Sequence, residues 1–363
     1  MALTRKQVMQ ALTAVVDPEQ GRDIARLGMV QHLDVDGDTI SFSVLVKDPR
    51  TPFAQQVESA CRQAIQTALG DHLTVNVTVE SEMVAPGHGA QQAGGGVRHM
   101  IAVASGKGGV GKSTVAVNLA VALARQGHAV GLVDADIYGP SVPTMFGMED
   151  EKPRVNEQRK ILPLEKHGVK LLSMGFMVDA SQAVIWRGPM VSSAVRQFLG
   201  DTAWGDLDYL ILDLPPGTGD IQLTIVQTVA LTGAVIVSTP QKVALADARK
   251  GVSMFNNVNV PVLGIVENMA YFTPPDLPDR KYYLFGEGGA RHLAEEIGVP
   301  LLGEIPLEQA LRETGDAGTP VMVAHPESAS AQAFDEAAAN VVAQVAQRTA
   351  TEPPAPPVEI LYR

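Results

Sequence analysis

The sequence is poorest in cysteine: its 363 residues hold one, Cys61. A lone thiol forms no disulfide within its chain and supplies no multi-cysteine metal site. A disulfide-stapled secreted scaffold is therefore excluded, and a reducing cytoplasm is the expected setting. Positive charge is also short, with 28 Lys and Arg against 40 Asp and Glu and a net charge of −12. That balance argues against a broad nucleic-acid surface. No apolar run reaches the roughly 18 residues of a membrane-spanning helix. The greasiest stretch, 115–124, contains Asn118 and ends at Arg125, so it reads as a buried helix. The opening MALTRKQVMQALTAVVDPEQ interrupts its apolar pattern with charges and Gln, so no secretory signal is expected.

What is present suits a folded protein. Hydrophobic residues make up 45% and charged residues 19%, which excludes a disordered or fibrous chain. The length suggests about two domains. Residues 4–16 have the apolar spacing of a helix, and Asp17-Pro18 ends it. Residues 30–35 and 39–46 read as strands around an Asp36-Gly37-Asp38 turn. A helix over 53–69 ends at Gly70, and a half-buried strand follows over 73–79. Together these make a small α+β domain over residues 1–80. Glycine and proline then mark a linker over 81–98. From Met100 the strands become continuous apolar runs, at 101–104, 130–133, 209–212, 234–237 and 262–266, separated by helical segments. Such strands are buried on both faces, so the expected fold is α/β, a parallel sheet with helices on each side. This domain spans 99–348 and closes with a helix over 328–347, before a Pro-rich tail over 349–363.

The strongest motif is SGKGGVGKST at residues 105–114. It contains G-x-x-x-x-G-K-S, follows an apolar strand and opens a helix, as a phosphate-binding loop requires. The glycines, Gly106, Gly108, Gly109 and Gly111, let backbone N–H groups turn inward toward phosphate oxygens, and Val110 and Thr114 complete the cradle. The start of the helix adds its positive dipole end. Lys112 is placed to contact the β- and γ-phosphates and Ser113 to ligate Mg²⁺.

Acids stand at the carboxyl ends of two predicted strands, where open α/β sheets bind their ligands. They are Asp134 and Asp136 in VDAD, and Asp213 in LILDLPPGTGD. Asp213 ends a hydrophobic strand and is a candidate Mg²⁺ ligand, directly or through water. The loop after it has the features of a switch that senses phosphate through Gly217. Asn268, in VENM after another strand, reads by itself as a turn former.

The early lysine in K-G-G-x-G-K-S resembles the deviant Walker A loop of MinD/ParA-like ATPases. That resemblance implies that Lys107 reaches across a homodimer interface to the partner's nucleotide, that Asp136 positions the attacking water, that Asp134 lies in the Mg²⁺ shell, and that Asn268 is a candidate contact to the adenine edge. More widely, SGKGGVGKST, VDADIYGPSVPTMFG, WRGPMV, DYLILDLPPGTGD, STPQKVALADARKG, VENMAYF, FGEGG and GEIPLE resemble the Mrp/ApbC family of iron–sulfur cluster carrier ATPases. VVDPEQGRDIARLGMV and QQVESACRQAI resemble the iron–sulfur assembly domain often fused to them. The resemblance implies an ATP-hydrolysing homodimer that exchanges clusters with donor and acceptor proteins and uses ATP and Mg²⁺, without nucleic-acid or membrane partners.

One feature departs from that family. A C-x-x-C pair usually follows its ENM motif, and two subunits share a [4Fe–4S] cluster through it. Here those positions are Pro274 and Leu277, and the N-terminal domain's usual cysteine position is Thr51. Cys61, mid-helix, reads as a buried small hydrophobe. An iron–sulfur carrier with altered cluster chemistry and a cluster-free scaffold ATPase are thus both open. A MinD/ParA-like positioning ATPase is a third reading, which the Ala-rich last helix and the acidic balance disfavour.

Overall fold

The computed structural model describes residues 4–17, 22–27, 29–36, 39–46, 52–70, 72–81, 96–137, 139–176 and 188–351. Thr51, most of the expected linker and nearly all of the expected tail lie outside them. The chain divides into two compact units, Met1–His88 and Gly89–Arg363.

In the first unit, helix Arg5–Leu12 starts with a reciprocal cap between Thr4 and Gln7. It stops short of the expected residue 16, as the N–H groups of Thr13, Ala14 and Val15 tighten to the carbonyls three residues back. The chain then turns into strand Val16–Asp17, paired with Arg22–Asp23. Strands Val30–Asp36 and Thr39–Val46 form the expected antiparallel pair, and Thr74–Ser81 joins Thr39–Val46 in parallel. Helix Pro52–Leu69 supplies Val57, Cys61 and Ile65 to the core, where they meet Ile40, Phe42 and Val75.

The second unit is built on an eight-stranded sheet. From one edge its order is Leu164–Lys166, Val169–Ser173, Val130–Asp134, Leu207–Asp213, Val97–Ala104, Gly233–Ser238, Val262–Asn268 and Leu301–Ile305. All pairs are parallel except the first. The strands alternate between two cores, as a pleated sheet covered on both faces must. Ile101, Val103, Ile211 and Val235 face helices Lys112–Arg125 and Ala329–Thr351. Met100, Ala102, Leu210 and Ile236 face helices Gly188–Gly200, Lys242–Asn257 and Gly289–Ile297. Strands Val169–Ser173 and Leu301–Ile305 were not expected, because Lys170, Gly303 and Glu304 interrupt their apolar character.

The registers bring functional ends level. Asp213 pairs with Asp134 on one side and Val103 on the other, and Ser173 pairs with Asp134. Among the described residues no helix is long and apolar enough to cross a membrane.

Phe334 of helix Ala329–Thr351 is fully buried in the first of these cores. Phe334→Ala is expected to destabilise the second unit by about 3–5 kcal/mol. Urea unfolding checks this, and a change within about 0.5 kcal/mol, typical of a surface substitution, would show that the helix is not part of the core.

Candidate nucleotide-binding site

Strand Val97–Ala104 delivers the chain into the glycine loop, and helix Lys112–Arg125 takes it away. Gly109 and Gly111 adopt φ of 83° and 82°, a left-handed backbone that glycine accepts without strain. The tight course has neighbours on both sides. A side chain at Gly106 would collide with the Asp247 carbonyl of helix Lys242–Asn257, and one at Gly111 with the amide of Asn268. Ser105 ties the turn from within, its hydroxyl donating to the Lys107 carbonyl at 2.9 Å.

Lys112 is buried, and its Nζ lies 2.5 Å from Asp213 Oδ1, 3.1 Å from the Ser113 hydroxyl and 4.0 Å from Asp136 Oδ2. The loop, the strand-end acids and the helix start therefore meet at one ammonium group. Burial pushes the Asp213 carboxyl above its ordinary range, and Lys112 opposes that shift. Its second oxygen, Oδ2, is buried with no hydrogen-bond partner among the described residues. An unpartnered carboxylate oxygen next to the Ser113 hydroxyl is a hard-oxygen donor set, and it fits Mg²⁺.

Asp134 is turned differently. Its Oδ2 accepts from the Ser173 hydroxyl at 2.9 Å and the Val142 N–H at 3.2 Å, and its Oδ1 accepts from the Asp136 N–H at 3.1 Å. Its carboxyl is pushed up to about 7, chiefly by burial and next by the charge of Asp213. These bonds make Asp134 a bracket that sets the backbone carrying Asp136.

The PPGTGD loop lies beside the phosphate loop. Gly217, at φ 102°, donates its N–H to the Ser105 carbonyl at 2.9 Å. Lys107, Gly108 and Gly109 are exposed, and Val110 is buried. Thr114 is half-buried, and its carbonyl accepts from Asn118 Nδ2 at 2.9 Å. The Asn268 amide donates to the Val110 carbonyl at 2.9 Å, so this residue braces the loop.

Residues 271–284, which include the two positions expected to be cysteine in the resembling family, form a self-closed hairpin. Phe272 and Tyr282 exchange backbone hydrogen bonds of 2.9 and 2.8 Å, the Leu277 N–H donates to the Pro274 carbonyl at 3.0 Å, and Lys281 Nζ sits 3.8 Å above the Tyr271 ring.

Residues 96–342 match the family described as NUBPL iron-transfer P-loop NTPase, and residues 5–79 match the iron–sulfur cluster assembly protein family. The chain belongs to the NUBPL iron-transfer P-loop NTPase family. It is 50% identical to the iron–sulfur cluster carrier protein of Synechocystis, over 94% of this chain and 98% of that one. It is also 50% identical to the protein of that description from Deinococcus radiodurans, over 96% and 97%. A nucleotide-binding protein of Archaeoglobus fulgidus, solved with ADP, is 45% identical with a TM-score of 0.55, over 61% of this chain and 87% of that one. The cell-division ATPase MinD of Pyrococcus furiosus is 26% identical with a TM-score of 0.51, over 68% and 99%. The iron-transfer NTPase thus shares its loop-and-sheet frame with MinD-type ATPases, and it is an ATPase by family.

Sequence reading missed two supports of this NTPase site, and a buried acid that anchors a neighbouring helix instead. Ser173 sits at the end of an unexpected strand, where the strand-end rule that found the acids would also have pointed. The Asp247 carbonyl is backbone and leaves no sequence signal. Glu267 is buried, with its carboxyl pushed up by burial, and it accepts the N–H of Ala290 at the start of helix Gly289–Ile297.

Two substitutions test the site. Lys112→Ala should abolish nucleotide binding and, by leaving Asp213 buried without its cation, destabilise the unit by about 3–5 kcal/mol. Calorimetric titration with ATP and urea unfolding report the two effects, and normal turnover in this variant would refute the assignment. Gly106→Ala should weaken ATP at least about tenfold, equivalent to about 1.4 kcal/mol, because the added methyl forces the loop off Asp247. Unaltered affinity would mean that the loop tolerates the displacement.

Proposed function

We propose that this chain hydrolyses ATP as a homodimer and couples that turnover to the delivery of iron–sulfur clusters from donor to acceptor proteins. The observation that carries the ATPase half is the convergence of Lys112, Ser113, Asp136 and Asp213 beneath the glycine loop. Similarity over nearly the whole chain to proteins described as iron–sulfur cluster carriers supports the other half.

In this reading the loop N–H groups of residues 106–114 hold the phosphates. Lys112, now on Asp213, is drawn to the β- and γ-phosphates, because a polyphosphate offers more negative charge than one carboxylate. Ser113 and the carboxylate of Asp213 hold Mg²⁺, with Asp134 acting through Asp136. When bound, the ion neutralises charge that builds on the transferring phosphoryl group. Asp136 orients the attacking water, and Asp134 fixes its position through the Asp136 N–H. Lys107 is exposed on the rim, free of the pocket that buries Lys112, which suits a cation offered to a partner's phosphates. Gly217 joins the switch loop to the end of the phosphate-loop strand, so that the state of the phosphates reaches the dimer face. Asn268 remains a candidate contact to the base through its carbonyl oxygen.

Two measurements check this. Lys107→Ala should lower turnover and weaken ATP-dependent self-association in light scattering, while ATP still binds. An unchanged monomer–dimer balance would count against the trans role. With a [4Fe–4S]-loaded scaffold protein as donor and an apo-dehydratase as acceptor, the chain with Mg-ATP should speed recovery of acceptor activity, and Lys112→Ala should not. Equal rates with and without ATP would refute the coupling.

A further inference from the structure

We infer that this chain holds no cluster on its own side chains, and that the thiolates around its cargo at every stage belong to the proteins it serves. The inference rests on the carrier reading above and specifies the partner chemistry that reading requires.

A [4Fe–4S] cluster is held by about four thiolates. Each copy of this chain brings one cysteine, so a dimer falls short before geometry is considered. That one is also badly placed. Cys61 is 0% exposed, inside the small unit's core with Val57 and Ile65. Burial pushes its thiol up to about 12, so it stays protonated and offers no anion to iron.

The hairpin over residues 271–284 offers no substitute. Pro274 and Leu277 are apolar, and they are joined by a backbone hydrogen bond of 3.0 Å. The nearby Asp276, Asp279, Tyr282 and Tyr283 are exposed oxygen donors, hard ligands that match Mg²⁺ or Ca²⁺ better than a sulfur cluster. Among the described residues, no group of three or more His, Cys, Asp or Glu is arranged to hold a metal. The hairpin also needs no metal to keep its form. The paired backbone bonds between Phe272 and Tyr282, and the Lys281 ammonium over Tyr271, close it without one.

The cluster therefore passes between donor and acceptor by ligand exchange. Each iron–thiolate bond to the donor is replaced by one to the acceptor. The incoming thiol's proton goes to the outgoing thiolate, and the iron keeps its oxidation level, so no oxidant or reductant is consumed. This chain contributes ATP-dependent docking of the two partners rather than a resting place for the cargo.

The test is anaerobic reconstitution of the full chain and of Cys61→Ser with ferrous iron and sulfide, with and without Mg-ATP. Desalting, iron and acid-labile sulfide counts and visible absorption follow. ATP hydrolysis in the same samples shows that the protein is folded. The expected result is no stoichiometric iron on either protein. It is also expected that iron co-elutes with the chain only when the loaded, cysteine-bearing scaffold protein is present. Stoichiometric iron and sulfide on the isolated chain would overturn the inference. If they survived in Cys61→Ser, oxygen or nitrogen ligands would hold the cluster, and if they were lost, Cys61 would be a ligand. The iron count decides this inference and the transfer assay decides the carrier function, so either can fail while the other stands.

Discussion

The contact between the Lys112 ammonium and the Asp213 carboxylate, 2.5 Å long and shielded from water, is the constraint around which the nucleotide-binding unit is arranged. Neither charge is tolerable alone in that interior, where an unpaired ion is penalised by several kcal/mol. The pair also fixes geometry. It ties the first residue of helix Lys112–Arg125 to the last residue of strand Leu207–Asp213, the immediate neighbour of the helix's own incoming strand. One cation serves several acids here, and the Asp134 carboxyl is pushed up to about 7, chiefly by its burial and next by the charge of Asp213. The site thus stores an excess of negative groups around a single lysine. A bound metal ion and a phosphate chain rearrange that excess rather than create it.

The frame of this site was legible in the sequence because it follows from local rules. Glycines where the backbone must turn left-handed, a lysine and serine opening a helix, and acids closing apolar strands each carry a pattern with a physical cause. Continuous apolar strands told of a sheet covered on both faces, and the two alternating cores follow from that. Less legible were the strands ending at Ser173 and Ile305, where a lysine or a Gly-Glu pair masks burial that tertiary packing supplies. Least legible was what leans on the loop from outside. The Asp247 carbonyl has no side-chain signature, and the bond from Asn268 to Val110 joins residues 158 positions apart.

The end of strand Val262–Asn268 shows how much two neighbouring residues divide between them. Successive side chains on a strand point to opposite faces. Asn268 turns to the phosphate loop and Glu267 to the start of helix Gly289–Ile297. Between that strand end and that helix lies the hairpin, which is kept in shape by its own hydrogen bonds. Nucleotide site and hairpin are thus anchored on one rigid element, although their chemistry differs: one buries its charges together, and the other carries its aromatic and charged side chains largely at the surface.

The level pairing of Asp134 with Asp213, and of Asp134 with Ser173, has a consequence for how the protein can be studied. A strand slipped by one residue would turn each of these side chains to the opposite face of the sheet. Such a molecule could keep much of its helix content and compactness while presenting apolar side chains where the carboxylates belong. Ordinary measures of foldedness would pass it. ATP binding would not, since it needs every one of these strand ends on its proper face. For this fold, the fraction of molecules that bind nucleotide is a count of correctly threaded sheets, finer than any spectroscopic signal of secondary structure.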